Sequence, residues 1–331
     1  MNSLFLTFDV EDFISQNSVP ALHCILELLK KYGVTGLFFI TGSMAEKLSG
    51  FSKTINLLND HQIGYHSSGH SIHPTIFEFT DVKSFEEAYQ VSLSRESSHI
   101  NPLTGNMEGP GGIYALKRLF PKKNIIAFRA PGYCWSPPHI EALKNLGINY
   151  DFSSNIVSYP INCNNTTLYP FPFLCYGWNG GVRDHSRLQK HVLMHQVSVL
   201  TIHPSTMVNR LDWDSIYYPR FKGLNVNPER LIQPPAKSPI EIASVFHKFE
   251  SLLRHLETLQ KIRLLKVTPE LKTANTNVGP TSIDAAKCYK MSIVWAEGFG
   301  YKPKFIYNHF RRFFEQDSLN GATNDPYLPK S

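Results

Sequence analysis

The sequence predicts an α/β fold built on a parallel sheet or barrel. Three observations point there. Short apolar runs alternate with amphipathic stretches of about 12–15 residues, in the order strand, helix, strand, helix, strand over the first 66 residues. The short runs are apolar throughout, as in strands buried on both faces. Several of them also stop on a polar residue: Asp9, His66, Arg129, Asp151 and His203. Parallel α/β folds gather their active-site groups just beyond the carboxyl ends of strands.

Each element has its own signal. Leu4–Phe8 is a largely apolar run that ends in the acids Asp9, Glu11 and Asp12. From Ser18 to Tyr32, Ala21, Ile25, Leu28 and Leu29 recur at helical spacing behind an early proline, Pro20, and Gly33 stops the helix. Thr35–Thr41 is a second strand, Ser43–Leu58 a helix that Gly50 would break, and Ile63–His66 a third strand. Ser84–His99 is a helix with acids in its first turn, and 101–112 is a loop rich in Gly, Pro and Asn. Ile125–Phe128, Ile148–Asp151 and Val197–Ile202 read as strands, with helices at Pro138–Leu146 and Arg187–His195. Residues 155–181 read as short strands and loops lining a groove, and 205–238 as loop. Pro239–Gln260 is an amphipathic helix and Ile262–Val267 a last strand. The pattern decays after Thr273. This divides the chain into a catalytic unit, 1–273, and a helical extension and tail, 274–331, that would serve as an oligomer contact or a lid.

Composition narrows the class. The chain has 331 residues, 42% apolar and 18% charged, enough to bury a sizeable core. Its formal charge of +6 is spread thinly, so no focused basic face for nucleic acid is expected. Five cysteines lie far apart without a Cys-x-x-Cys pair, which argues against a disulfide scaffold or a thiolate zinc knuckle. No apolar run approaches the ~20 residues of a membrane span. With no apolar leader read at the start, the expected location is cytoplasmic.

The segment Ile63-Gly64-Tyr65-His66-Ser67-Ser68-Gly69-His70 sets two imidazoles four residues apart. Continued as one helical turn, they would share a face. Neutral imidazole is the commonest ligand for a borderline divalent metal, and Phe8-Asp9-Val10-Glu11-Asp12 offers oxygen donors to join it. Two nitrogens and one carboxylate, with positions left for water, form the ligand set of a hydrolytic metal. His73 is read as a loop residue rather than a further ligand. The tryptophans Trp135, Trp178 and Trp213 read either as sugar-stacking platforms or as core.

Five short motifs, in order, resemble those of the polysaccharide deacetylases, the NodB-homology or carbohydrate esterase family 4 group. They are Thr7-Phe8-Asp9-Val10-Glu11-Asp12, His66-Ser67-Ser68-Gly69-His70, Arg129-Ala130-Pro131-Gly132-Tyr133, Tyr150-Asp151-Phe152-Ser153-Ser154 and Leu200-Thr201-Ile202-His203-Pro204. The resemblance spans roughly residues 3–272 and implies a distorted (β/α) barrel with seven or eight strands. It implies Asp9 as general base, His66 and His70 as ligands of a metal that is usually zinc, and Arg129 as the partner that keeps Asp9 ionised. It further implies His203 as general acid, Asp151 as the acid that orients His203, and an oxyanion contact at Gly132 and Tyr133. One departure stands out: the family pattern has adjacent aspartates, whereas Asp9 is followed by Val10. Gapless alignment favours Glu11 as the carboxylate ligand, residue type favours Asp12, and both stay open.

The expected activity is hydrolysis of an N-acetyl group on an amino sugar or glycan precursor with a divalent metal, zinc first and Co2+, Ni2+ or Fe2+ as substitutes. Two rivals remain: hydrolysis of another C–N bond, in a cyclic amide or formamide, and a glycan-binding relative without turnover. Neither a nucleic acid partner nor a transmembrane segment is expected, and a homo-oligomer is compatible with the extension.

Overall fold

A computed structural model describes residues 1–70, 84–100, 107–133, 135–154, 157, 159–170, 173–174, 178–217, 232–273, 282–298, 307 and 311. The chain runs β1 (Asn2–Val10), α1 (Ser18–Lys31), β2 (Leu37–Ile40), α2 (Gly42–Leu48), α3 (Ser52–Leu58), β3 (Gln62–Tyr65) and α4 (Phe85–Ser97). A small hairpin, β4 (His99–Ile100) and β5 (Met107–Glu108), leads to α5 (Gly112–Leu119), β6 (Ala127–Phe128) and α6 (Pro137–Asn145). Then come β7 (Tyr150–Asp151), β8 (Ile161–Cys163), β9 (Thr166–Leu168), β10 (Phe173–Leu174), α7 (Val182–Met194) and β11 (Val197–Ile202). Short α8 (Ser205–Val208) and α9 (Trp213–Tyr217), long α10 (Pro239–Lys261), β12 (Leu265–Val267) and α11 (Ser282–Gly298) complete it.

The sheet order is β10-β11-β1-β2-β3-β6-β7-β9-β8. The eight strands from β10 to β9 are parallel to their neighbours, and β8 closes the path antiparallel to β9. The expected α/β architecture with seven or eight barrel strands is therefore present. β1 is shared unequally: Thr7–Val10 pair with β2, whereas Asn2–Leu4 pair with β12. The final strand thus occupies the part of β1 that β2 leaves bare.

The helices follow their sequence signals. α1 buries Ala21, Leu22, Ile25, Leu26 and Leu29, carries Lys30 and Lys31 in its last turn, and is followed by Gly33 at φ +61°. The expected break at Gly50 separates α2 from α3. α10 starts in a capping box: the Ser238 hydroxyl accepts from the Glu241 N–H, and the Glu241 carboxylate accepts from the Ser238 N–H. Residues 155–156, 158, 171–172, 175–177 and 218–231 fall in the expected groove and loop but outside the described residues, as do His73, Cys134 and most of the tail.

The period of two in the strands sorts side chains into two layers. Leu4, Leu6, Phe8 and Val10 join Phe38, Ile40, Ile63, Tyr65, Phe128, Leu200 and Ile202 in the large core under the helices. Phe5, Leu37, Phe39, Ala127, Phe152, Tyr169 and Val199 form a smaller inner cluster. By the same parity Thr7, Asp9, His66, Arg129, Thr201 and His203 follow the inner cluster toward the carboxyl ends of the strands. Apolar packing seals the base of the inner face, and its top is polar.

Two helix starts grip the loop after β3. The Gly42 N–H donates to the Ser67 carbonyl (3.0 Å) and the Ser43 N–H to the Ser68 carbonyl (2.9 Å). A Cβ on Gly42 would stand 2.5 Å from Gly112 Cα and 2.9 Å from the Ser68 oxygen, so only glycine allows the approach. Gly42→Ala is expected to cost ~1–3 kcal/mol in urea unfolding. Gly50→Ala, whose Cβ would meet nothing nearer than 3.9 Å, should stay within ~0.5 kcal/mol of the native protein. Equal unfolding midpoints for the two variants would contradict this packing.

Candidate metal and acid–base site

Glu11 lies one residue past β1 and returns to the inner parity of Asp9. Its Oε2 is 2.8 Å from His70 Nε2 and 3.2 Å from His66 Nε2. All three residues are buried, Glu11 at 3%, His66 at 2% and His70 at 1% exposure. One donor atom from each lies within 4.8 Å of the others. His66 Nδ1 is 2.7 Å from the Arg129 carbonyl, which carries no proton, so Nδ1 is the donor there. In neutral His66, Nε2 then has a lone pair aimed at a carboxylate oxygen that has only lone pairs. That face-off needs a cation between the two atoms, a proton or a metal ion. The donor set fits a borderline divalent metal.

The electrostatics agree with this convergence. Burial alone would push the Glu11 carboxyl up, but the nearby charges of His70 and His203 and hydrogen bonds from His66 and His70 hold it well below the usual carboxylate range. Burial pulls His66 down, yet its hydrogen bond to Glu11 and the charges of Asp9 and Glu11 leave it raised overall.

The two histidines do not share a helical turn. Ser67 and His70 both sit at φ +63°, so the expected turn is instead a loop with two left-handed residues. The grip of α2 and α5 on Ser67 and Ser68 fixes that path, and the reversal at His70 turns its ring back toward Glu11.

Beside this triad, Arg129 is fully buried and its Nη1 donates to Asp9 Oδ1 (2.6 Å) and Thr7 Oγ1 (3.0 Å). The Phe39 ring backs its guanidinium at 4.4 Å. The other carboxylate oxygen of Asp9, Oδ2, is 3.4 Å from His203 Nε2. Thr7 and Thr201 are direct partners in the β1–β11 register and their hydroxyls meet at 2.9 Å, so Asp9 and His203 emerge side by side one step further on.

Other expected site residues are placed differently. Asp12 stands apart from the histidines: its Oδ1 accepts from the Ile14 and Ser15 N–H groups (3.1 and 2.8 Å) and its Oδ2 from Asn209 Nδ2 (3.0 Å). It caps a turn, and Glu11 takes the place beside the imidazoles. Asp151 does not hold His203. Its carboxylate accepts from the Ser153 N–H and hydroxyl, both at 2.9 Å, and burial pushes its pKa from 3.8 up to about 6 against those bonds. Parity explains the difference. Tyr150 and Phe152 pack on the inner cluster, so Asp151 faces the helix layer, and β1, β2, β3 and β6 separate it from β11. Gly132 and Tyr133 form a tight turn after β6 with φ +56° and +55°, and the Tyr133 ring lies 5.8 Å from the Arg129 guanidinium. Trp135 and Trp213 are buried as core, whereas Trp178 is half-buried.

Sequence reasoning missed a buried network under the site. The Tyr65 hydroxyl donates to Glu96 Oε2 (2.5 Å), and His139 Nε2 is 2.9 Å from Glu96 Oε1. All three residues are fully buried. The available signal was the buried stripe Ala88, Ser92, Glu96 at spacing four on α4, which sets an acid where small residues precede it.

The family model for polysaccharide deacetylase matches residues 1–108, which hold the first two of the five motifs. The resemblance to that family is thus shown over the first third of the chain. None of the curated proteins matches. Among solved structures, a CE4 family pseudoenzyme from Bacillus anthracis is 16% identical with a TM-score of 0.37, over 61% of this chain and 55% of its own length. A family 4 carbohydrate esterase from Bacillus anthracis is 19% identical with a TM-score of 0.34, over 61% and 68%. A family 4 carbohydrate esterase from Streptomyces lividans in complex with acetate is 12% identical with a TM-score of 0.40, over 81% and 94%. The chain thus spans little more than half of the first of these. Among the described residues, no helix is long and apolar enough to cross a membrane.

Asp151 yields a pH prediction. Its folded pKa is raised, so its contribution to stability is fully present below about pH 4 and is lost as pH rises through about 6. The loss amounts to about 3 kcal/mol at most. Asp151→Asn, which keeps an acceptor for Ser153, should gain stability relative to the native protein between pH 4 and 7 in urea unfolding. A stability difference constant across that range would contradict the assignment.

Proposed function

We propose that the protein is a metal-dependent hydrolase that removes an N-acetyl group from an amino sugar or glycan precursor. The observation that carries the reading is the juxtaposition of two devices on one sheet face. One is a carboxylate–imidazole–imidazole cluster suited to a metal. The other is a carboxylate, Asp9, ion-paired to a buried Arg129 and touching His203.

Glu11, His66 and His70 would hold the ion, zinc by donor type, with Co2+, Ni2+ or Fe2+ able to take the same nitrogen and oxygen ligands. When bound, it supplies Lewis acidity that draws charge from a carbonyl oxygen and makes a neighbouring water more acidic. The protein's own groups do the rest. Arg129 pairs with Asp9 and fixes its orientation, so that Asp9 can take a proton from the attacking water. His203, at 3.4 Å from Asp9, delivers a proton to the departing nitrogen. Water adds to the carbonyl carbon, the C–N bond breaks, and acetate and an amine leave. The Gly132–Tyr133 turn stands after β6, beside Arg129, where the family resemblance implies the oxyanion contact.

The test is acetate release from N-acetylglucosamine and its short oligomers by the zinc-loaded protein. Asp9→Asn and His203→Ala should each lower kcat by about 10²–10⁴-fold while circular dichroism and zinc content stay native. Near-native turnover in the Asp9 variant would contradict the assigned base. Absence of acetate release by the zinc-loaded native protein on every N-acetyl sugar offered would contradict the activity.

A further inference from the structure

A cavity of about 280 Å³ opens beside His203, between the carboxyl end of β11, α8 and α10. Its wall carries two ammonium groups, Lys237 and Lys248, and no carboxylate among the described residues. Lys248 is half-buried on α10 and makes neither an ion pair nor a hydrogen bond among the described residues. Lys237 donates to the main-chain carbonyls of Thr206 and Asn209, which hold its ammonium in place without neutralising it. The acid near Lys237 is Glu241, and that carboxylate is paired with Arg210 (2.8 Å) and caps the start of α10. Burial and the nearby charges of Arg210 and Lys248 pull Lys237 below the usual lysine value, against the pull of Glu241. Trp178 stands in the same wall, and its indole N–H, which can only donate, is buried without a partner among the described residues. Phe249 and Leu252 line the apolar side and keep water from screening a charge pair formed there. The cavity thus offers cations and lacks the anion that would balance them.

Resting on the hydrolase reading above, we propose that this cavity is a phosphoryl subsite, and that the substrate is an N-acetylated amino sugar carrying a phosphate ester on its anomeric carbon. His203 belongs at once to the acid–base pair and to the cavity wall, so a group seated in the cavity lies next to the departing nitrogen. In a 2-amino sugar the anomeric carbon is bonded directly to the carbon that bears that nitrogen. A substituent on the anomeric carbon is therefore carried toward whatever flanks the acid. A phosphate ester brings both negative charge and several acceptor oxygens, which suit an ammonium and an unspent N–H donor. A neutral sugar hydroxyl would leave both lysines without a counter-charge in a partly apolar wall. The N-acetyl group stays at the Glu11–His66–His70 cluster, and the reaction keeps its balance: water adds to the carbonyl carbon, the C–N bond breaks, the nitrogen takes a proton and acetate leaves. The phosphate ester bond is untouched.

The experiment measures acetate release by the zinc-loaded protein from N-acetylglucosamine, its 1-phosphate, its uridine diphosphate ester and its geranyl diphosphate ester. One charge-assisted hydrogen bond is worth about tenfold or more. The phosphate esters should therefore exceed the neutral sugar at least about tenfold in kcat/KM, through KM, and the excess should shrink as KCl rises. Lys248→Gln should lower the ester-to-neutral ratio about tenfold, and Lys248→Arg, which keeps the charge, should largely preserve it. A gain on every ester assigns recognition to the phosphate alone, and a gain larger for the nucleotide or the prenyl ester adds the group beyond it. Turnover of the neutral sugar with no gain on any ester overturns the phosphoryl subsite and leaves the hydrolase reading standing. A ratio unmoved in a folded Lys248→Gln protein overturns it equally. No acetate from any member of the series overturns both readings.

Discussion

A guanidinium without water around it stands at the centre of this structure. Arg129 is fully buried, and three of its groups each hold a different piece of the site. Its Nη1 binds Asp9 and Thr7, its carbonyl fixes the tautomer of His66, and its N–H continues the sheet by donating to the Tyr65 carbonyl. A buried charge is tolerable only with its counter-charge, and removing one partner typically costs about 3–5 kcal/mol. Asp9 is therefore compelled to face inward, and His203 and Glu11 are arranged around that fixed carboxyl group and its neighbours.

The same constraint explains why the inner face is layered. Aromatic and aliphatic side chains fill its base, a threonine pair from β1 and β11 bridges the middle, and the ionisable groups lie at the top. Phe39 links the layers by lying under the guanidinium and over Gly64, where a Cβ would come within 2.6 Å of its ring. On the opposite face, Tyr65, Glu96 and His139 form a second polar cluster that ties the strand before His66 to two helices. The loop that carries His66 and His70 is thus held from both sides of the sheet.

Much of this was legible in residue order because the period of two carries real information. Asp9, His66, Arg129 and His203 end apolar runs in the expected places, and all four share one face. What escaped the sequence depended on contacts between distant segments. The apolar run suggests that β1 stops at Phe8, but the strand continues to Val10. That extension puts Glu11 on the inner parity and leaves Asp12 to cap a turn. Asp151 also ends a strand, but Tyr150 and Phe152 face inward and oblige it to face the helices. Strands of two residues, such as β7 and β10, are too short to reveal a period. The left-handed backbone at Ser67 and His70 lies in a loop that Gly42 and Gly112, two glycines about 70 residues apart along the chain, approach closely at Ser68.

The measurement that bears most directly on this account is calorimetric zinc titration of the metal-free native protein beside Glu11→Gln and Asp12→Asn. The account predicts one tight site in the native protein, a loss of about 10–100-fold or more in affinity for Glu11→Gln, and near-native affinity for Asp12→Asn. Tight binding that survives in Glu11→Gln and fails in Asp12→Asn would contradict the geometry on which the proposed chemistry rests.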